Sequence, residues 1–151
     1  KTVTNSVTST ATSTPTSTLF SFKYPAVFKV KESKNHLFLD SEVVTSTQIN
    51  IDYQKSTKSL TDYLKELDKI NTTGYEGKPL VKIATSTDQV TVAGVQAIFR
   101  EQKLLAADLN QYAIYFKLGD TIYSISLNAP VLDQNLFSFF ALFVNNLKIS
   151  Q

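Results

Sequence analysis

Residues Asn110 to Asn128, NQYAIYFKLGDTIYSISLN, constrain the fold more than any other stretch of the chain. Two alternating runs meet at Gly119-Asp120, and a two-residue junction with glycine first selects a tight antiparallel hairpin. Pairing Leu118 with Thr121 sets Phe116 opposite Tyr123, Ile114 opposite Ile125 and Tyr112 opposite Leu127, all on one side of the sheet. The other side then carries Ala113, Tyr115 and Lys117 opposite Ser126, Ser124 and Ile122. A slip of one residue would turn Phe116 and Ile114 to solvent, so register and alternation require each other.

A chain of 151 residues suits one domain. Its net charge of +2 comes almost wholly from scattered lysines, with Arg100 the single arginine. A nucleic-acid footprint concentrates arginine and lysine on one face, so no nucleic-acid partner is expected. Cysteine is absent, which excludes disulfides, thiolate metal sites and a cysteine nucleophile. No run reaches the roughly 18 apolar residues of a membrane span. The chain begins at Lys1 rather than methionine, as expected of a processed product whose signal or anchor lay upstream.

Residues 1–18, KTVTNSVTSTATSTPTST, have no apolar period and no charge after Lys1. Such a segment cannot offset its ordering entropy, and it is expected to be a solvated tether preceding a domain at residues 19–151. Phe20, Phe22 and Tyr24 alternate with polar residues until Pro25, as in a half-buried strand. Further strands are expected at Val27 to Lys31, His36 to Glu42 and Thr47 to Tyr53, with Glu32 to Asn35 as a polar turn. Ser59 opens a helix and can cap it together with Asp62. Leu60, Tyr63, Leu64, Leu67 and Ile70 form its apolar stripe, and Gly74 can close it in a left-handed conformation. Leu80 to Ile83, Gln89 to Ala93 and Val95 to Lys103 read as three strands, with a bend or bulge at Gly94. Leu104 to Asn110 reads as a connection. Asp133 caps a last helix whose stripe is Leu136, Phe140, Phe143 and Leu147, widened by Phe139 and Val144. Lys148 and Ile149 leave it as an extended tail. Many antiparallel strands with two helices describe an α+β domain in which helices lie on an antiparallel sheet.

The order of these motifs resembles the PsbP-like domain family as it occurs in small bacterial lipoproteins. The resemblance rests on the opening strand Phe20-Ser21-Phe22-Lys23-Tyr24-Pro25 with an aromatic at Phe28, and on a helix beginning Ser59, Leu60, Tyr63. It rests further on Val90, Val92, Gly94 and Ala97 in order, on the tyrosine-rich hairpin, and on a closing helix ending Leu147-Lys148-Ile149. Phe28 stands where that family usually has tryptophan. The resemblance implies an α/β/α sandwich with a central antiparallel sheet, export, lipid anchoring just upstream, and a non-enzymatic accessory role. No residues match the metal-linked positions of the photosynthetic members.

Catalytic and metal constellations are missing from the sequence pattern. His36 is the single histidine, and Asp40 on the same strand face lies about 13 Å away. A catalytic triad or a two-histidine zinc site is therefore not supported. Asp40 and Glu42 share a strand face, but two carboxylates fall short of the 6–8 oxygens a calcium ion takes. Asp62 and Glu66 share a helix face with lysines at short spacing, a solvated pattern. Arg100-Glu101 can form a local charge pair of little energy. No Gly-x-Ser-x-Gly elbow and no glycine-rich phosphate loop occur. The sequence thus predicts no enzyme, no catalytic residue, no metal and no cofactor.

Two binding readings stay open. Tyr115 and Ile122, on the second face of the hairpin, form a contact patch if exposed; the layered fold implied by the resemblance would cover them with a helix. Alternatively, an apolar pocket between sheet and last helix, lined by Phe139, Phe140 and Phe143, would make the protein a carrier of a small hydrophobic ligand. The first reading is an extracytoplasmic accessory module, monomeric, bound to an unidentified envelope or surface protein and meeting the membrane only through its upstream anchor.

Overall fold

The structure is a computed structural model and describes residues 10–13, 20–25, 28–41 and 47–150. In chain order the elements are β1 (Thr10–Ser13), β2 (Phe20–Pro25), β3 (Phe28–Ser33), β4 (His36–Ser41), β5 (Gln48–Lys55), α1 (Leu60–Thr73), β6 (Val81–Val92), β7 (Val95–Leu104), β8 (Leu109–Leu118), β9 (Thr121–Ala129), α2 (Gln134–Asn146) and β10 (Lys148–Ile149). Seven strands form an antiparallel sheet in the order β3-β4-β5-β9-β8-β7-β6. The β8–β9 hairpin sits inside it with the expected register, Leu118 to Thr121 through Tyr112 to Leu127. Gly119 supplies the positive φ of 61° that its turn demands.

Alternation sends the two faces of this sheet to different partners. One face gathers Leu37, Leu39, Ile49, Ile51, Ile114, Phe116, Ile125 and Leu127, all at most 5% exposed. Over it lie α2, through Phe140, Phe143, Val144 and Leu147, and strand β2, through Phe20 and Phe22. The other face holds a smaller apolar cluster in which Leu64 of α1 meets Ala113 and Tyr115, flanked by Leu60, Tyr63, Leu67 and Ile98. The result is an α+β sandwich with a central antiparallel sheet and a helix on each side. Both helices are capped as their sequences require. Ser59 Oγ accepts from the Asp62 amide at 3.1 Å and donates to its carboxylate at 2.8 Å, and Asp133 accepts from the Leu136 amide at 2.8 Å.

Several elements differ from the expectation. The stretch read as two strands, Leu80 to Ile83 and Gln89 to Ala93, is one twelve-residue strand, β6, with irregular register between Ile83 and Thr85 and between Thr87 and Val90. It is the outermost strand of the sheet, and its middle is exposed on both faces, so no alternation marks it in the sequence. Gly94 is not a bulge. Ala93 (φ 50°) and Gly94 (φ 78°) form a two-residue turn joining Val92 to Val95, and the bulges lie upstream in β6. The connection Leu104 to Asn110 is shorter than expected because β8 already begins at Leu109. Thr10–Ser13, inside the expected tether, pairs with β2, while the rest of residues 1–18 lies outside the described residues. Glu42, placed with Asp40 on one strand face, also lies outside them. The tail at Lys148–Ile149 is extended and adds to the other edge of β2, opposite Ser21 and Phe20.

Candidate functional site on the α1 face

The α1 side of the sheet is polar wherever α1 does not cover it. The pairings His36 to Asp52, Asp52 to Ser124 and Ser124 to Tyr115 set these four residues in one cross-strand row. The neighbouring row runs Phe38, Asn50, Ser126, Ala113, Arg100. A third places Asn128, Gln111 and Gln102 side by side. Their carboxamides are linked from Gln102 Nε2 to Gln111 Oε1 at 2.5 Å and from Gln111 Nε2 to Asn128 Oδ1 at 2.7 Å. All three are buried, so this ladder satisfies groups that would otherwise lose water without compensation.

An ion pair adds to the apolar contacts of Leu64 in holding α1 on this face. Arg100, 7% exposed, donates from both terminal nitrogens to Asp68 at 2.6 and 2.9 Å, and its guanidinium lies 5.6 Å from the centre of the Tyr115 ring. The expected local pair Arg100-Glu101 is thus replaced by a bidentate contact across 32 residues. Tyr115 (5% exposed) and Ile122 (2% exposed) are buried, which removes them as an exposed contact patch. Burial raises the Tyr115 pKa, against smaller lowering effects from the Gln102 hydrogen bond and the Arg100 charge.

His36 has a partner that the sequence did not reveal. Its Nδ1 lies 2.5 Å from Asp52 Oδ1, a residue sixteen positions away, rather than near Asp40. In this row Asp52 lies between His36 and Ser124, so the imidazole is not placed to take the serine proton as a triad requires. Tyr63, half-buried on the wall made by α1, has its pKa raised first by burial and then by the Asp52 charge. Lys58 pairs with Glu66, Lys55 with Asp120 at 3.1 Å, and Lys117 donates to the Lys58 carbonyl at 2.7 Å. The Asp62 carboxylate accepts from Ser59 Oγ and lies 4.0 Å from Lys65 Nζ, so the two helix carboxylates are separately engaged. Among the described residues no group of three or more histidine, aspartate or glutamate side chains could hold a metal ion.

Of the three phenylalanines expected to line a pocket between sheet and last helix, only Phe140 does so. Phe139 stacks on Phe28 at 5.6 Å, Phe143 meets Phe22 at 5.1 Å, and Phe140 stacks with Tyr112 at 6.1 Å. These contacts hold Phe139 and Phe143 against Phe28 and Phe22. A groove of about 540 Å³ opens beside α2, lined by Phe137, Phe140, Val144 and the β6–β7 residues Val90, Val92 and Phe99, with Phe139 and Phe143 outside it.

A different apolar surface lies at the far end of α1. Gly74 accepts a φ of 60° there, with a Cβ at this position meeting the Lys78 carbonyl oxygen at 1.7 Å. Hydrogen bonds from Gly74 to Ile70, Leu80 to Asn71 and Leu105 to Leu80 tie the helix end, the start of β6 and the β7–β8 turn together. Ile70 (62% exposed), Tyr75 (72%), Leu80, Ile83 and Leu105 are large apolar side chains that this arrangement leaves in solvent.

Comparison with known proteins supports the architecture. No family model matches the chain, and no curated protein sequence does. Among solved structures, the solution structure of cyanobacterial PsbP (CyanoP) from Synechocystis is similar over 99% of this chain and 98% of that one, with a TM-score of 0.69 and 10% identity. At that identity the likeness speaks for the fold alone, and the fold of this chain is PsbP-like.

Proposed function

We propose that this protein is a non-enzymatic, extracytoplasmic accessory module that docks on a partner protein through the apolar end formed by α1, the start of β6 and the β7–β8 turn. The observation that carries this reading is the exposure of Ile70, Tyr75, Leu80, Ile83 and Leu105 at one end of the domain. Exposed apolar side chains gathered at one place mark sites where another protein excludes water. Tyrosine in such a cluster supplies contact area with few rotatable bonds. The likeness to PsbP supports an accessory role, and the Ser/Thr-rich segment before β2 supports attachment to an envelope surface. No helix among the described residues is long and apolar enough to cross a membrane. Crosslinking in intact cells tests the docking. The wild-type chain is expected to capture a specific partner, and Ile70→Ser with Tyr75→Ser to lose it without loss of fold. Equal capture by the double variant would overturn the assignment of the surface, and no specific partner at all would overturn the function.

A further inference from the structure

Three depressions on the α1 face share their walls. One of about 360 Å³ is lined by Phe38, Asn50 and His36. The next, of about 300 Å³, shares His36 and adds Asp52, Ser124 and Tyr63. Tyr63 and Gln54 continue into a third, of about 790 Å³, between α1 and the Gly119-Asp120 turn. Together they make one groove that crosses β3, β4, β5 and β9 and ends against α1. Three strand spacings give the part on the sheet a length of about 14 Å.

The charges of this groove cancel. Its four lysines are matched by four carboxylates. Lys55–Asp120 and Lys58–Glu66 are ion pairs, and His36 is hydrogen bonded to Asp52. Phosphate, nucleic acid or an acidic peptide would find no field to draw it in. What the groove offers is neutral hydrogen bonding from the carboxamides of Asn50 and Gln54 and the hydroxyls of Ser124 and Tyr63. Such groups both donate and accept. Phe38 and Tyr63 add aromatic surface at two points along it. A chain of sugar rings has the complementary chemistry, with hydroxyl edges that donate and accept and C–H faces that lie on aromatic rings.

We propose that the groove running from Phe38 past Asp52 to Tyr63 binds a neutral oligosaccharide. Residues of the apolar end reach it only at Ile70, in its outermost part, so Tyr75→Ser alone is expected to leave sugar binding intact, and either reading can fail alone. The test is a titration of the full-length ¹⁵N-labelled chain with neutral trisaccharides of glucose and of N-acetylglucosamine, with inorganic phosphate in parallel. The expected result is saturable shifts at Asn50, Asp52 and Tyr63 with at least one trisaccharide and none with phosphate. Asn50→Ala and Phe38→Ala are each expected to weaken that binding about tenfold, the effect of one lost hydrogen bond or ring contact. Dispersed amide spectra of both variants separate lost binding from lost fold. No saturable shift with either sugar, shifts mapping outside the groove, or a response to phosphate at these residues would each overturn the proposal.

Discussion

At the scale of single residues, Arg100 and Asp68 are bound as a pair but are not equivalent. The guanidinium is almost wholly buried, whereas the Asp68 side chain keeps 36% of its surface in water. Removing Asp68 strands a charge that cannot rehydrate; removing Arg100 leaves a carboxylate that can. Asp68→Asn is therefore expected to destabilise by about 3 kcal/mol, the low end for a broken buried pair. Arg100→Gln should lose about 1–2 kcal/mol, chiefly hydrogen bonds and contact with Tyr115. Urea denaturation of the two variants checks the order, and a larger loss for Arg100→Gln would refute it. Such a pair is hidden in the sequence, because one arginine and thirteen acidic residues admit many pairings and nothing local selects position 68. The same holds for His36 and Asp52, brought together only by the register of β4 on β5.

At the scale of elements, whatever alternation or capping dictates locally was legible. The β8–β9 register, the Ser59 and Asp133 caps and the facing of α2 follow from near-neighbour chemistry, whereas α1 turns Ile70, the last residue of its expected stripe, to solvent. Elements at the sheet edge were not legible in this way. Thr85 to Gln89 is exposed on both sides of β6, so selection for an apolar face leaves no trace there. The break at Gly94 was legible, but not its form as a two-residue Ala93-Gly94 turn, because alanine is an unusual residue at φ 50°. The left-handed region costs an L-residue about 1–2 kcal/mol, and asparagine tolerates it better than alanine. Ala93→Asn, giving the favoured Asn-Gly pair, is expected to stabilise the protein by about 0.5–1 kcal/mol in thermal melts. A lower melting temperature would show that the turn is not held in this conformation. The groove on the α1 face was illegible for a related reason. Its lining comes from β3, β4, β5, β9 and α1, and no one of these segments carries the pattern.

The tyrosines act at the scale of the whole molecule. Tyr63, Tyr112, Tyr115 and Tyr123 all have raised pKa values, with burial the chief cause in each. The unfolded chain releases these protons near the ordinary value of 10.0, while the folded chain retains them to higher pH. Above that value the unfolded state binds fewer protons, so stability is complete below about pH 10 and falls as pH rises through the folded pKa values. Tyr115→Phe is expected to flatten this decline in denaturation curves taken from pH 8 to 11. An unchanged slope would mean that Tyr115 titrates alike in both states.

The two-residue strand β10 has a consequence for synthesis. Because Lys148–Ile149 pairs with β2 and Leu147 lies in the core, the first and last parts of the domain complete one another. A chain emerging from a ribosome carries β2 and all seven strands of the sheet, complete at Ala129, before α2 and β10 follow. Until α2 has been made, the Phe116 and Ile125 face lacks the part of its cover that Phe140, Phe143 and Val144 supply.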